Sequence, residues 1–97
     1  MQLRQVAGHI NANGDIVSGT GDFATIHRAT GHYQIVFEPQ LKRIVSAVAT
    51  QIFPPDGSTL DNTVIIHISN EECFLHTGGS SGSDADRDFC FIAVGEA

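Results

Sequence analysis

Three stretches of this chain are apolar on both faces of a strand, and one of them closes the sequence. They are Ile44-Val45-Ser46-Ala47-Val48-Ala49, Thr63-Val64-Ile65-Ile66 and Phe89-Cys90-Phe91-Ile92-Ala93-Val94. A two-layer β domain standing alone needs one apolar face per strand and turns the other to water. Two-sided runs therefore call for a second surface to bury, and the expected one is another copy of the same chain. The 97 residues make one domain, 1–97, whose core is thin because a chain this short buries only about 60–70% of its unfolded surface.

The periodic segments are built from Val, Ile, Thr and Phe, with Gly, Asn and Asp punctuating them at all-β spacing. The expected strands are residues 4–11, 15–19, 23–28, 32–38, 44–53, 63–69, 72–77 and 88–94. Asn13-Gly14 and Thr30-Gly31 are hairpin signals, because these residues accept positive φ. Tyr33, Ile35 and Phe37 alternate with Gln34, Val36 and Glu38, which makes 32–38 the clearest strand. The fold class is all-β: a single antiparallel β-sandwich, jelly-roll-like, of about eight strands connected mostly neighbour to neighbour. Its expected core is Val6, Ile10, Ile26, Tyr33, Ile35, Phe37, Val48, Ile66, Phe74, Phe91 and Val94.

Eleven acidic residues against five basic ones give a net charge of −6. Nucleic acid is not an expected partner, since phosphate binding needs a basic patch and Lys42-Arg43 is the only basic pair. The longest apolar run is far too short for a spanning helix, so no membrane insertion is expected. Met1-Gln2-Leu3-Arg4-Gln5 has no apolar stretch of the signal-peptide kind. Synthesis in the cytoplasm is expected, with a virion or the extracellular space reached by a route that reads no such signal. Cys73 and Cys90 are too few for a disulfide scaffold; they lie in different strands, open either to facing each other or to serving as free buried thiols.

Several constellations invite a chemical reading. Gly78-Gly79-Ser80-Ser81-Gly82 matches the G-x-S-x-G nucleophile elbow, but that elbow needs a following helix within a large α/β sheet. Gly19-Thr20-Gly21-Asp22-Phe23-Ala24 fits a relaxed dinucleotide pattern, yet a strand follows it and offers no helix N-terminus to a pyrophosphate. No resident cofactor is expected. Asp84-x-Asp86-x-Asp88 is the one run whose alternating carboxylates suit Ca²⁺, although Phe89 stands where an EF-hand loop needs glycine. Five histidines, His9, His27, His32, His67 and His76, show no metal-ligand spacing along any one strand, which leaves an ion gathered at a symmetry axis as their route to a metal. By parity His27 shares a face with Phe23, and His76 with Phe74.

The glycine bend and strands of Val17-Ser18-Gly19-Thr20-Gly21-Asp22-Phe23-Ala24-Thr25-Ile26 and Thr30-Gly31-His32-Tyr33-Gln34-Ile35-Val36-Phe37 form a recurring pattern. So does the ending: Phe74-Leu75-His76-Thr77, a Gly/Ser/Asp loop, then Asp88-Phe89-Cys90-Phe91-Ile92-Ala93-Val94-Gly95. Together they resemble the small β modules at the ends of phage tail fibres and in bacterial proteins, which are similar to trimeric jelly-roll heads of the C1q/TNF type. The resemblance spans most of the chain and rests on turn and core positions. It implies trimerisation and surface recognition, often of glycans, and brings no catalytic residue. No collagen-like or coiled-coil stalk of the kind that precedes such heads lies within these residues.

The chain is thus expected to be a non-enzymatic recognition or structural module. Its first partner is itself, as a homotrimer or secondarily a dimer, with Ala47 and Ala49 allowing close approach. A glycan or another surface ligand is the second, held by loops 54–62 and 78–87 through Asp56, Ser58, Ser80, Ser81, Asp84 and Asp86. The alternatives are an assembly protein without ligand, or a small metal-dependent enzyme using the histidines and the run from Asp84 to Asp88.

Overall fold

A computed structural model describes residues 2–97. Eight strands and, among those residues, no helix form the fold: β1 (Leu3–Ile10), β2 (Ile16–Gly19), β3 (Phe23–Ala29), β4 (His32–Phe37), β5 (Arg43–Gln51), β6 (Asn62–Ile68), β7 (Glu72–Gly78) and β8 (Phe89–Glu96). They make two antiparallel sheets, ordered β2-β1-β8-β5 and β3-β4-β7-β6, packed face to face as a β-sandwich. The neighbour-to-neighbour expectation does not hold. Hairpins join β1–β2, β3–β4 and β6–β7, but the other pairings are β1–β8, β4–β7 and β5–β8. The chain changes sheet after β2, β4, β5 and β7, so both layers receive apolar faces as the chain proceeds.

The hairpins follow their turn chemistry. Asn11 Oδ1 accepts hydrogen bonds from the Asn13 and Asp15 amides, and Gly14 takes φ 92° between them. Gly31, at φ 70°, turns β3 into β4, and a Cβ there would lie 2.6 Å from the Thr77 carbonyl oxygen. Only glycine fits a left-handed position so tightly walled by backbone.

The core joins Val6, Ile10, Phe89, Phe91 and Ala93 of the first sheet to Phe23, Tyr33, Ile35, Phe37, Cys73 and Leu75 of the second, with Leu41 sealing one end. Two aromatic contacts cross between layers: Phe23 meets Phe91 edge-on at 5.0 Å, and Tyr33 meets Phe89 at 4.9 Å. Each such pair contributes about 0.5–1.5 kcal/mol beyond its buried area, so the two matter in a small core. Of the expected core, Val6, Ile10, Tyr33, Ile35, Phe37 and Phe91 are buried. Ile26, Val48 and Ile66 are instead 44%, 62% and 54% exposed, and Phe74 and Val94 are half-buried. The period of two was right, but at these five residues the parity was wrong; in β7, for example, the inward set is Cys73, Leu75 and Thr77.

Ala47 and Ala49 also point the other way from expectation, packing against the core rather than toward a second chain. Cys73 is buried in the second sheet, whereas Cys90 alternates with inward Phe89 and Phe91 and so lies on the outer face of the first; both thiols are free. Burial pushes the Cys73 thiol up to about 11, which leaves it an inert apolar filler.

Phe23 reaches the first sheet only because β1 and β2 open a slot. Gly8 and Gly19 face each other in register, and a Cβ at either would lie 2.4 or 2.7 Å from the Phe23 ring. A Gly8→Ala chain is therefore expected to lose about 1–3 kcal/mol of stability through overpacking, read as a lower urea midpoint. An unchanged midpoint would show that the ring has room to move.

Candidate functional site

The run from Asp84 to Asp88 crosses one end of the sandwich, from β7 to β8. Its backbone is held first by the second sheet. Gly78 and Asp84 form an antiparallel bridge, the Ala85 amide donates to the Thr77 carbonyl at 3.1 Å, and the Thr77 hydroxyl donates to the Ala85 carbonyl at 2.5 Å. The first sheet takes over at the other end, where the Ala12 amide donates to Asp88 Oδ1 and the Ile52 amide to the Asp88 carbonyl, both at 2.9 Å. Each of the three carboxylates reaches a strand of the sheets beneath.

Each carboxylate meets a histidine from a different strand. Asp84 Oδ2 lies 2.9 Å from His32 Nε2 of β4, Asp86 Oδ1 lies 2.8 Å from His27 Nε2 of β3, and Asp88 Oδ2 lies 3.6 Å from His9 Nε2 of β1. The carboxylates thus spread over three histidines and do not converge on one Ca²⁺, contrary to the one cation suggested by their spacing. Asp86 has the richest surroundings. Its Oδ1 accepts the Gly31 amide at 2.6 Å and lies 3.5 Å from the Tyr33 hydroxyl, which itself donates to the Ala12 carbonyl at 2.7 Å. Burial opposes the Asp86 charge, but the Gly31 amide, His27 and Tyr33 outweigh it and hold the carboxyl below the ordinary aspartate value. Burial and the Asp86 charge push the Tyr33 phenol up to about 12, so it remains a hydrogen-bond donor.

His32 has a second neighbour. It stands in register with His76 of β7, and the two rings stack at 3.8 Å and 6°. His32, His76 and Asp84 each bring one donor atom to a cluster in which all lie within 4.8 Å of one another. Among the described residues this is the one grouping of three metal-ligating side chains.

Between the closing run and the loop after β5 lies a cleft of about 270 Å³ lined by Ala12, Phe53, Pro54, Asp86, Arg87 and Asp88, among others. Arg87 Nε sits 3.7 Å from Asp61 Oδ2, which joins the two loops. Phe53 is 62% exposed, while Tyr33 and the other phenylalanines are buried or half-buried.

The two loops expected to carry a ligand therefore do meet at one end of the domain. The residues that meet are not all those anticipated. Asp84 and Asp86 join the histidines, and Asp86 also reaches the cleft. Asp56 is exposed on the other loop. The Ser58 hydroxyl is occupied within its own turn, accepting the Leu60 amide at 3.2 Å. Ser80 and Ser81 sit at an exposed tip with no helix behind them, so the elbow-like motif has none of an elbow's surroundings. Sequence reasoning missed the histidine partners because it searched along single strands, and these pairs form across them. The usable signal was the period of two in Asp84, Asp86 and Asp88, set against Gly8-His9 and Gly31-His32 at strand ends.

Comparison with protein-family models, with curated proteins and with solved structures finds no match to this chain.

The lowered Asp86 value sets a sign for acid stability. A carboxyl whose folded pKa lies below its unfolded value of about 3.9 adds stability that is complete above that value and lost as pH falls through the folded one. Asp86→Asn keeps a carbonyl for the Gly31 amide but removes the charge. It is expected to be less stable than the parent at pH 7, with the gap closing toward pH 2 in urea titrations. An equal gap at both pH values would contradict this role of the charge.

Proposed function

We propose that this chain is a non-enzymatic recognition module that works as a homo-oligomer, a trimer before a dimer, and presents the cleft end to a glycan or another surface ligand. The observation that carries the reading is the uncharged middle of the outer face of the first sheet, beyond which Arg43 and Glu96 pair at one end. In that middle Val48 and Ala7 flank Ile92 in register, with Thr50, Cys90, Ser46 and Val94 around them. Val48 and Ile92 are strongly exposed in the single chain. The second side of two apolar runs thus lacks cover, and an acidic chain of net charge −6 meets its own copies with least repulsion where acidic side chains are missing.

The resemblance to trimeric heads supports the same reading, and a module of that kind would act at a virion or cell surface. At the cleft, the exposed Phe53 ring supplies a stacking platform while Asp86, Asp88 and Arg87 supply polar contacts, the combination sugars bind. Asp86 and Asp88 are the two aspartates of the closing run that line it.

Sedimentation of the wild-type chain at micromolar concentration is expected to give an oligomer, and Val48→Lys with Ile92→Lys a folded monomer. A 10.4 kDa wild-type species would overturn the assembly half of the proposal. For the ligand half, a glycan array should show binding that Phe53→Ala reduces by up to about 1.5–3 kcal/mol, the worth of burying one phenylalanine side chain. An oligomer with no glycan bound would favour an assembly protein without ligand.

A further inference from the structure

We propose that His32, His76 and Asp84 bind a divalent transition metal of the Zn²⁺ class, with a fourth position left open on the outer face of the second sheet. The two histidines belong to β4 and β7, the inner strands of that sheet, and stand directly opposite each other. Their backbones are fixed by pairing on both sides. Asp84 is placed by its bridge to Gly78, at the point where the loop after β7 folds back. Three ligands from three separate chain segments therefore converge through register alone.

The chemistry of the donors selects the metal. Two imidazole nitrogens and one carboxylate oxygen suit Zn²⁺, whereas Ca²⁺ wants six to eight oxygens. Donors on a tetrahedral zinc at 2.0–2.1 Å lie about 3.3 Å apart. Here the three atoms lie within 4.8 Å, and His32 Nε2 and Asp84 Oδ2 are already 2.9 Å apart. Closing the remainder needs only side-chain rotation at half-buried histidines and an exposed aspartate.

The comparison with the other two pairs sharpens the assignment. Asp86 is engaged by the Gly31 amide and Asp88 by the Ala12 amide, and each is near a single histidine. At Asp84 a second imidazole is stacked on the first. The two rings are near-parallel, so their in-plane lone pairs meet on one ion after a modest rotation of half-buried side chains. A cation between those nitrogens and the carboxylate would join all three. It would also fasten the loop after β7 to the second sheet.

The test uses the whole chain, stripped with chelator and titrated calorimetrically with ZnCl₂. One zinc per chain is expected, with a rise in melting temperature, and Co²⁺ should give the visible absorption of a four-coordinate site. His76→Gln and Asp84→Asn are expected to weaken binding at least about tenfold, the lower end of what even outer-shell partners contribute. His67→Gln, outside the cluster, should leave binding unchanged. Should His76→Gln fail to fold by circular dichroism, His32→Gln and Asp84→Asn carry the test. Absence of saturable binding, or equal loss in His67→Gln, overturns the proposal. The site is on the second sheet and the self-association face on the first, so the monomeric double-lysine variant should bind zinc as the parent does. The failure of either proposal is therefore visible without the other.

Discussion

Tyr33 is the side chain on which the two sheets and the closing run all depend. Its ring lies 4.9 Å from Phe89 across the core and stacks on His27 at 4.7 Å and 7°. Its hydroxyl reaches out of the core to the Ala12 carbonyl, close to Asp86. One residue thus spans from apolar interior to polar end, a task that fits tyrosine because a buried ring can end in a group that needs a partner. Phenylalanine could fill the same volume but would leave the Ala12 carbonyl without that donor. Ala12 is half-buried at the cleft, so the loss is that of one hydrogen bond, about 0.5–1.5 kcal/mol, which still matters in a domain this small.

The fold was legible in the sequence to the extent that local signals decide it. Glycine-centred turns and the alternation of Tyr33, Ile35 and Phe37 located the strands to within about two residues at most ends. Parity was less legible, since Val48, Ile66 and Val94 sit in runs apolar on both faces, where composition gives no reason to choose a side. Leu41 was missed for another reason: it lies outside any strand and is fully buried between the sheets, packed where Gly95 has no side chain. The pairings β1–β8, β4–β7 and β5–β8 link segments far apart in sequence, and nothing local encodes them.

The same limit governed the site. Asp84 and Asp86 were singled out for their hydrogen-bonding groups, but their partners arrive from β4 and β3 through long-range register. A period of two in a loop is weak evidence by itself. It becomes informative once the two sheets beneath are known to bring His9, His27 and His32 to that end. Asp56, Ser58 and Ser80, chosen on loop polarity, had no such counterpart, and polarity alone does not separate a contact residue from a solvated connector.

The polar fastening of the run across the sandwich end follows from what that run lacks. Between Gly79 and Asp88 the chain has one alanine and no larger apolar side chain, so the hydrophobic effect does little to hold it. Its order rests on hydrogen bonds and on histidine–aspartate pairs near the surface, each of which is worth little alone. Segments held in this way open at lower free energy than the core strands they cover. The core needs no exposed group, whereas a ligand needs groups that can reorient toward it. The end that the core cannot stabilise is therefore the end where Phe53, Asp86, Arg87 and the His32–His76–Asp84 cluster stay accessible, and the thinness of the core is what leaves room for a site.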